Sequence, residues 1–322
     1  MKVDLRILST RRRELMGVSI LLIMLYHSFL GLTSNAFYKL TGLGEIGVEL
    51  FMLISGIGIW FSLDKDIRTG PFYHRRFKRI IPSYLMVAGV FFLWQDIIKE
   101  FKPLDFLSNL FRIPYFTEGN RWFWFIVLIV VCYLLAPLLY RWIKAGRFRH
   151  WHILLLLALA AAMCLLFPGR SMSSLRLLLF RIPSFALGMM AGWRIKEDPV
   201  CETGKLNIAI AVIALCLLPF GPFVPYKPEL RFTVFFFAAP AVLWLFAVMF
   251  EAASKRAAAL NAAFIFLGGI TLECYLLHEA FILRYTKGFV DTPLLWMLVS
   301  IAVTIPVAWL VHRISKWIAD KI

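Results

Sequence analysis

Long stretches of this sequence carry no charge. Charged residues make up only 17% of the 322 residues, whereas hydrophobic residues make up 61%, more than the roughly one half that is usual in a soluble globular protein. So much apolar surface cannot be buried in one water-soluble core, which excludes an ordinary soluble fold. The uncharged runs occupy residues 15–36, 50–63, 80–95, 122–140, 151–169, 206–226, 232–250 and 292–311.

Cysteine and flexible linkers are scarce as well. The five cysteines form no CxxC pair and four of them fall in apolar runs, so the sequence predicts neither a disulfide framework nor a zinc site, and we expect no metal. No Gly/Ser-rich linker or low-complexity tract interrupts the chain. We therefore expect a single transmembrane domain over residues 1–322. The cysteines are Cys132, Cys164, Cys201, Cys216 and Cys274.

The apolar runs have the length of membrane-spanning helices. A helix needs roughly 20 apolar residues to cross the hydrocarbon layer, and the runs do not alternate as barrel strands would. Two further runs each contain one charge, Arg181 within residues 177–193 and Glu273 within residues 257–277. The sequence thus predicts an all-α, polytopic membrane protein with about ten transmembrane helices.

Acidic residues are few, 19 against 35 Lys and Arg, and the basic residues follow the membrane. If the first helix starts inside, about two thirds of the Lys and Arg fall on the inner side, as the positive-inside rule requires. An even number of helices then leaves both termini in the cytoplasm. We expect a multi-pass protein of the cell (inner, cytoplasmic) membrane with lipids as partners, and no nucleic acid despite the net charge of +16. The inner segments are residues 1–13, 64–79, 141–150, 194–205, 251–260 and 312–322.

Titratable side chains inside the apolar runs are candidates for function because they are costly to place there. His27 lies about 20 Å along the first helix from Glu14, where it is either a proton acceptor or a structural hydrogen-bonding group. Glu49 lies about one turn into the second helix, with Glu45 one turn earlier on the same face. Glu49 is the better candidate to orient a histidine or to accept a proton.

The ninth run contains two titratable residues. Glu273 and His278 are five positions apart, so they point about 140° apart around a helix and do not share a face. We expect His278 to face the protein interior together with the more polar side of this helix. Glu273 either contributes to a site or pairs with a basic residue such as Arg181, in a structural role.

Basic residues cluster at the inner surface after the second helix, in FYHRRFKRIIPSY. They either set the topology and bind anionic lipid, or Arg76 and Arg79, which share a helical face, form a phosphate clamp with Arg75 beside them. At the outer surface, Arg121 and Trp122 begin the fourth helix among other aromatic residues. That cluster is either an interfacial belt or a surface on which a sugar ring stacks.

The candidates therefore form two groups on opposite sides of the membrane. The cationic group lies inside, whereas the histidines and the outer Arg and Trp lie at mid-membrane or beyond it. A phosphate-bearing donor inside and an acceptor outside would fit this arrangement.

Six stretches in a fixed order carry a family resemblance. They are RRRELMGVSILLIMLYH, GVELFMLISGIGIW, RRFKRIIPSY, RWFWFIVLIVVCYLLAP, RIPSFALGMMAG and LGGITLECYLLH. In this order they resemble the membrane-bound acyltransferase 3 family, whose members carry a histidine in the first helix and an Arg-x-x-Arg pair before the third. The resemblance covers nearly the whole chain.

The resemblance implies a catalytic activity. The protein would use acyl-CoA from the cytoplasm, most often acetyl-CoA, as co-substrate to acylate a hydroxyl of a cell-envelope glycan or a lipid-linked sugar. His27 matches the essential histidine of the family, as general base or as transient acyl carrier. Glu49 and His278 are the further catalytic candidates.

The resemblance also implies which residues bind the two substrates. Arg75, Arg76 and Arg79 would hold the CoA phosphates. Many members have an arginine where this chain has Met16. Arg13 projects on nearly the same face as His27, because 14 residues make close to four turns, and is the candidate to replace it.

The acceptor would bind at the outer and mid-membrane candidates, Arg121, Trp122, Arg181 and Glu273.

A competing interpretation is a polysaccharide or glycolipid transporter or flippase that uses buried His and Glu as a proton relay. A third is a structural subunit of an envelope complex. An inner phosphate-binding cluster is required by the CoA-dependent enzyme and not by a proton-coupled carrier.

Overall fold

The computed structural model describes residues 2–28, 41–99, 102–148, 150–166, 173–223, 228–253, 256–286 and 292–322. The described chain is helical, as predicted, apart from one short β pair. The helices are α1 (Arg6–Thr10), α2 (Arg12–Ser28), α3 (Ile46–Lys65), α4 (Thr69–Lys99), α5 (Pro103–Leu110), α6 (Ile113–Thr117), α7 (Trp124–Lys144), α8 (His150–Leu166), α9 (Ser173–Glu197), α10 (Lys205–Leu217), α11 (Pro228–Ala253), α12 (Ala258–Gly269), α13 (Thr271–Leu277), α14 (Arg284–Thr286) and α15 (Pro293–Lys321).

Short segments of other helix types extend three of these elements. A 3₁₀ turn at Gly42–Glu45 leads into α3, and another at Leu218–Phe223 follows α10. A π-helical segment, His278–Leu283, joins α13 to α14. Of the predicted apolar runs, residues 29–36, 167–169 and 224–226 lie outside the described part of the chain.

Six described helices are long and apolar enough to cross a membrane, namely α3 with its 3₁₀ turn, α4, α7, α9, α11 and α15. A seventh crossing is made if α12 and the α13–α14 segment, bent by 66° at Ile270, count as one. α8 and α10 are apolar but shorter. The protein is therefore a multi-pass integral membrane protein, and the number of ten spans stays a prediction.

Proline lies inside five of the six spanning helices without ending them. In lipid the backbone groups that a proline frees can be satisfied by neighbouring helices and side chains, so the helix continues. The residues are Pro82, Pro137, Pro183, Pro240 and Pro306.

The closest helix packing in the core joins α3 to α9. A Cβ atom added at Gly56 would lie 2.3 Å from the carbonyl oxygen of Phe185, and one added at Gly188 would lie 2.2 Å from that of Leu53. Because glycine has no side chain, the two backbones can touch at both positions. Small residues commonly allow such close approach between membrane helices. This contact fixes two walls of the cavity described below.

The predicted ninth helix is bent at Ile270 into α12 and α13. Gly17 of α2 packs on Phe264 and Gly268 packs on Arg13, so α12 advances towards the start of α2. The chain then bends by 66° at Ile270, and His278 beyond the bend contacts Met24 near the end of α2. Within the expected span, α12 thus packs on the start of α2. The π segment after α13 lies beside the end of α2.

Segments predicted on the inner side lie together on one face. β1 (Lys2–Asp4) pairs antiparallel with β2 (Val200–Glu202), a small pair outside the apolar runs. Lys196 donates a hydrogen bond to Asp64, which joins the inner segment that contains β2 to the inner segment 64–79. The structure agrees with the grouping of these segments, and their cytoplasmic side stays a prediction.

We predict that Gly188→Ala destabilises the fold. Its methyl group would overlap the α3 backbone, which cannot yield as a side chain can, at a cost of roughly 1–3 kcal/mol. Thermal unfolding of the purified protein in detergent should show a lower Tm. Gly89→Ala in α4 is the control, because nothing lies within 4 Å of its Cβ position. Equal melting of both variants and wild type would contradict the account of this contact.

Candidate functional site

A cavity of about 770 Å³ lies among α2, α3, α4, α7, α9, α11 and α13. Its volume is in the range of small-molecule sites. Arg12 and His27 of α2 both line it, and the 15 residues between them correspond to about 22 Å of helix. The cavity therefore connects the predicted inner surface with the region around His27.

Three guanidinium groups line the inner end of the cavity, Arg12 of α2 and Arg76 and Arg79 of α4. They lie close enough for their charges to repel one another. The ion pairs of the described residues include none of the three. Arg76 packs with its Cζ 5.5 Å from the Phe72 ring, and its buried Nε has no hydrogen-bond partner there. Such a cluster of like charges is suited to bind a multiply charged anion such as a phosphate ester.

Gly58 of α3 provides the space for one of these groups. A Cβ atom at Gly58 would lie 2.4 Å from Nη1 of Arg12. Because the obstacle is the end of a flexible side chain, an added methyl group would displace the guanidinium and leave the helices in place. Neither Gly58 nor Arg12 was among the candidates predicted from the sequence.

His27 lies on the cavity wall near the end of α2. Its Nε2 is 3.8 Å from Oε2 of Glu279, and the side chains are 11% and 42% exposed. Both residues line the cavity. A carboxylate at this distance can orient the imidazole and stabilise its protonated form. Glu279 was not predicted from the sequence. It lies in the π segment, where the spacing of an α-helix does not give the direction of a side chain.

Arg121 and Trp122 line the other end of the cavity, as their predicted outer position requires. Their loop is held by Arg112, a buried residue with positive φ. Nη2 of Arg112 donates to the carbonyl oxygen of Asn120 at 2.9 Å, and the Asn120 side chain accepts from the Trp122 backbone N–H at 3.1 Å. The loop is thereby fixed in the conformation that directs Trp122 to the cavity.

Arg181 forms a buried ion cluster with the two acids of the second predicted helix. It donates to Glu49 and, at 2.9 Å, to Glu45. Ser184 donates to the second oxygen of Glu49, and Arg231 lies 2.9 Å from Glu45. The expectation that Glu49 orients a histidine is thus corrected, since its two oxygens are occupied by Arg181 and Ser184. Arg181 is fully buried and holds α9 to α3, whereas Glu45 and Arg231 reach the cavity wall.

His278 faces the interior, as expected, but away from the cavity. Its Nδ1 lies 2.8 Å from Oγ1 of Thr304, and its Nε2 lies 3.1 Å from the carbonyl oxygen of Met24 and 3.4 Å from Oγ of Ser28. It therefore joins the last turn of α2 to α15. In this arrangement His278 positions the helix that carries His27 and does not itself reach the cavity.

Glu273 has different partners from those considered in the sequence. Ser83 donates to it at 2.7 Å, and Nδ1 of His312 lies 3.1 Å away. It forms no pair with Arg181 and does not line the cavity, so its predicted place in the substrate site is corrected to a buried contact between α13, α4 and α15.

Two of the predicted phosphate-binding residues lie outside the cavity. Arg13 lies on the far side of α2 beside α12 and α15, and its neighbour Arg12 takes the position foreseen for it. Arg75 lies 3.5 Å from Asp66. Hydrogen bonds from the side chain and backbone of Arg68, with a weaker one from Arg75, lower the pKa of Asp66 to about 2. Asp66 is thus ionised at neutral pH and pairs with Arg68 and, at the longer distance, with Arg75.

One comparison with known families gives a match. The acyltransferase domain of the acyltransferase 3 type matches residues 15–313, which is most of the chain and includes the cavity residues named above except Arg12. No curated protein and no solved structure gives a significant match.

We predict that the main effect of Glu49→Gln is a loss of protein stability. The change leaves the buried Arg181 short of one counter-charge, and breaking a buried ion pair on one side costs about 3–5 kcal/mol. Thermal unfolding in detergent measures the loss. The double variant Glu49→Gln/Arg181→Gln should recover part of it, because no uncompensated guanidinium remains. A Glu49→Gln protein as stable as wild type would mean that the cluster does not hold α3 and α9 together.

Proposed function

Since the chain belongs to the acyltransferase 3 family, we propose that this membrane acyltransferase moves an acyl group, with acetyl as the first candidate, from cytoplasmic acyl-CoA to a hydroxyl of a cell-envelope or exported glycan. Its place would be the inner membrane. The observation that carries the proposal is the single cavity with three guanidinium groups at one end and His27 with Glu279 towards the other.

The two ends of the cavity match the two ends of an acyl-CoA molecule. The phosphates of CoA lie at one end of the molecule and the thioester at the other, joined by the flexible pantetheine arm. Arg12, Arg76 and Arg79 would bind the phosphates, where guanidinium groups form paired hydrogen bonds. The arm would then extend along the cavity and bring the thioester to His27.

The transfer itself needs one proton acceptor and one leaving group. With a proton on Nε2 facing Glu279, Nδ1 of His27 would accept the proton of the acceptor hydroxyl. The hydroxyl oxygen would attack the thioester carbonyl, and the carbon–sulfur bond would break. The imidazolium, stabilised by the Glu279 carboxylate, would return the proton to the departing thiolate. This type of catalysis contributes about 10²–10⁴-fold in rate.

The acceptor would enter from the end lined by Arg121 and Trp122. The flat indole ring suits the apolar face of a sugar, and the guanidinium group suits its hydroxyl or acidic substituents. Arg112, through Asn120, would keep this loop in its binding position.

We predict that Arg76→Ala/Arg79→Ala abolishes measurable acyl-CoA binding. Two of the three guanidinium groups at the inner end of the cavity are lost, each of which contributes about 1.5–3 kcal/mol in charged hydrogen bonds. Binding of radiolabelled acetyl-CoA to protein in nanodiscs measures the effect. Arg75→Ala is the matched control, because Arg75 lies on the same helix, α4, but pairs with Asp66, and this variant should bind acetyl-CoA as wild type does.

Gly58→Ala offers a milder change at the same end. It should displace Arg12 and weaken acetyl-CoA binding several-fold, while the Tm stays near that of wild type. Equal loss of binding in Arg75→Ala and in Arg76→Ala/Arg79→Ala would indicate a general surface-charge effect and would overturn the phosphate site.

We predict that His27→Ala abolishes transfer and leaves acetyl-CoA binding intact, because the imidazole is about 22 Å of helix away from Arg12. Glu279→Gln should retain binding and lower kcat by roughly 10–100-fold, since Gln keeps the shape but cannot stabilise an imidazolium. Turnover of radiolabelled acetyl-CoA with extracted envelope glycan measures both. An active His27→Ala enzyme would contradict the mechanism.

The same experiment addresses the transporter alternative. A His–Glu pair beside a cavity that crosses much of the bundle also suits a proton-coupled carrier. Folded wild-type protein that neither binds nor turns over any of several acyl-CoAs would favour the carrier. A labelled His27 adduct in the presence of acetyl-CoA would indicate that His27 carries the acyl group itself.

A further inference from the structure

A second hollow lies on the outside of the helix bundle, away from the cavity. It is bounded by α12, by the last part of α15 and by the start of α2, and its volume is about 770 Å³. Its residues on α15 run from Trp309 to Asp320, which corresponds to about 16 Å along that helix. No part of the proposed acyl transfer uses this hollow.

Three cations line the hollow, Arg13 of α2 and Arg313 and Lys316 of α15. All three are exposed, and the ion pairs of the described residues include none of them. His312 also borders the hollow, but its Nδ1 faces Glu273 at 3.1 Å. Asp320 at the end of α15 is the one acidic residue in the lining. The hollow thus has an excess of positive charge.

The remaining lining of the hollow is apolar and unusually exposed. Trp309 and Trp317 of α15 are 44% and 60% exposed, and Ile265 and Phe266 of α12 are 36% and 43% exposed. In a membrane protein such surface faces lipid, and tryptophan is favoured at the level of the headgroups. The Cζ of Arg313 lies 5.6 Å from the Trp309 ring. Charge and apolar surface therefore meet where a lipid headgroup meets its acyl chains.

We propose that this hollow binds the headgroup of one anionic phospholipid. Arg13, Arg313 and Lys316 bind the phosphate, since basic pockets between membrane helices on the predicted inner side select anionic headgroups. The acyl chains lie along Ile265 and Phe266 of α12. A free phosphate ion would use the same cations, but it leaves this apolar wall uncovered, and the wall is the reason for assigning the site to a lipid.

The bound lipid ties together three helix ends that matter to the cavity. Arg13 is adjacent in sequence to Arg12, which faces the cavity on the opposite side of α2. The α15 side is linked through His312 to Glu273 and from there to Ser83 of α4, the helix that carries Arg76 and Arg79. Neutralising Arg13 also removes a charge that repels Arg12.

Lipid titration tests the proposal directly. Phosphatidylglycerol or phosphatidylcholine is titrated into the full-length protein in neutral detergent, and native mass spectrometry counts the bound lipids. We expect wild type to prefer phosphatidylglycerol. Arg313→Gln/Lys316→Gln should weaken phosphatidylglycerol binding roughly 30-fold, because each cation near an anionic headgroup contributes about a factor of five.

The matched control is Arg141→Gln/Arg147→Gln, which removes two exposed charges at the end of α7 and should leave the preference unchanged. Arg13→Gln, on a different helix, should weaken binding on its own, which keeps the test valid if the α15 variant does not fold. Equal affinity of wild type for both lipids, or equal loss in the control, would overturn the proposal. Displacement of the lipid by potassium phosphate but not by potassium chloride at the same ionic strength would assign the hollow to free phosphate instead.

Discussion

The buried cluster around Arg181 is the interaction on which the rest of the site depends. A guanidinium group with no exposed surface inside a membrane protein is tolerated only with compensating charge and hydrogen bonds. Glu45 and Glu49 supply both from α3, and Arg231 of α11 shares Glu45. The Phe232 ring lies 4.3 Å from the Arg181 Cζ. Three helices that wall the cavity are thereby held in one register, with the α3–α9 backbone contact at Gly56 and Gly188 setting their distance.

The two sets of arginines in this protein differ in how their charge is compensated. In the Arg181 cluster two guanidinium groups meet two carboxylates, so each positive charge of the set has a negative partner. At the inner end of the cavity, Arg12, Arg76 and Arg79 meet no carboxylate among the described residues and repel one another. Charge that the fold does not neutralise favours an anionic ligand. The same physical rule thus assigns one arginine set to stability and the other to binding.

Much of this division could be predicted from the sequence, because apolar runs and the charges that interrupt them are visible there. The helical class and the placement of Arg76 and Arg79 on one helical face follow from run length and residue spacing. For His27, spacing left a structural role open, and the family resemblance favoured the site role. Spacing on an ideal helix failed at two places. At Arg12 and Arg13, two adjacent basic residues lie 100° apart, and only the packing of Gly268 on Arg13 determines which of them faces the cavity. At His278 and Glu279 the helix becomes π, so the side-chain directions change.

The π segment explains how one short stretch contributes to two functions. His278 contacts the last turn of α2 and Thr304 of α15, whereas Glu279, the next residue, faces His27 across the cavity. His27, the proposed proton acceptor, and the carboxylate of Glu279 come from different helices, so their 3.8 Å separation depends on the contact that His278 makes. The irregular segment thus lies at the proposed site, where π-bulges are frequently found, and neither composition nor hydropathy could have revealed it.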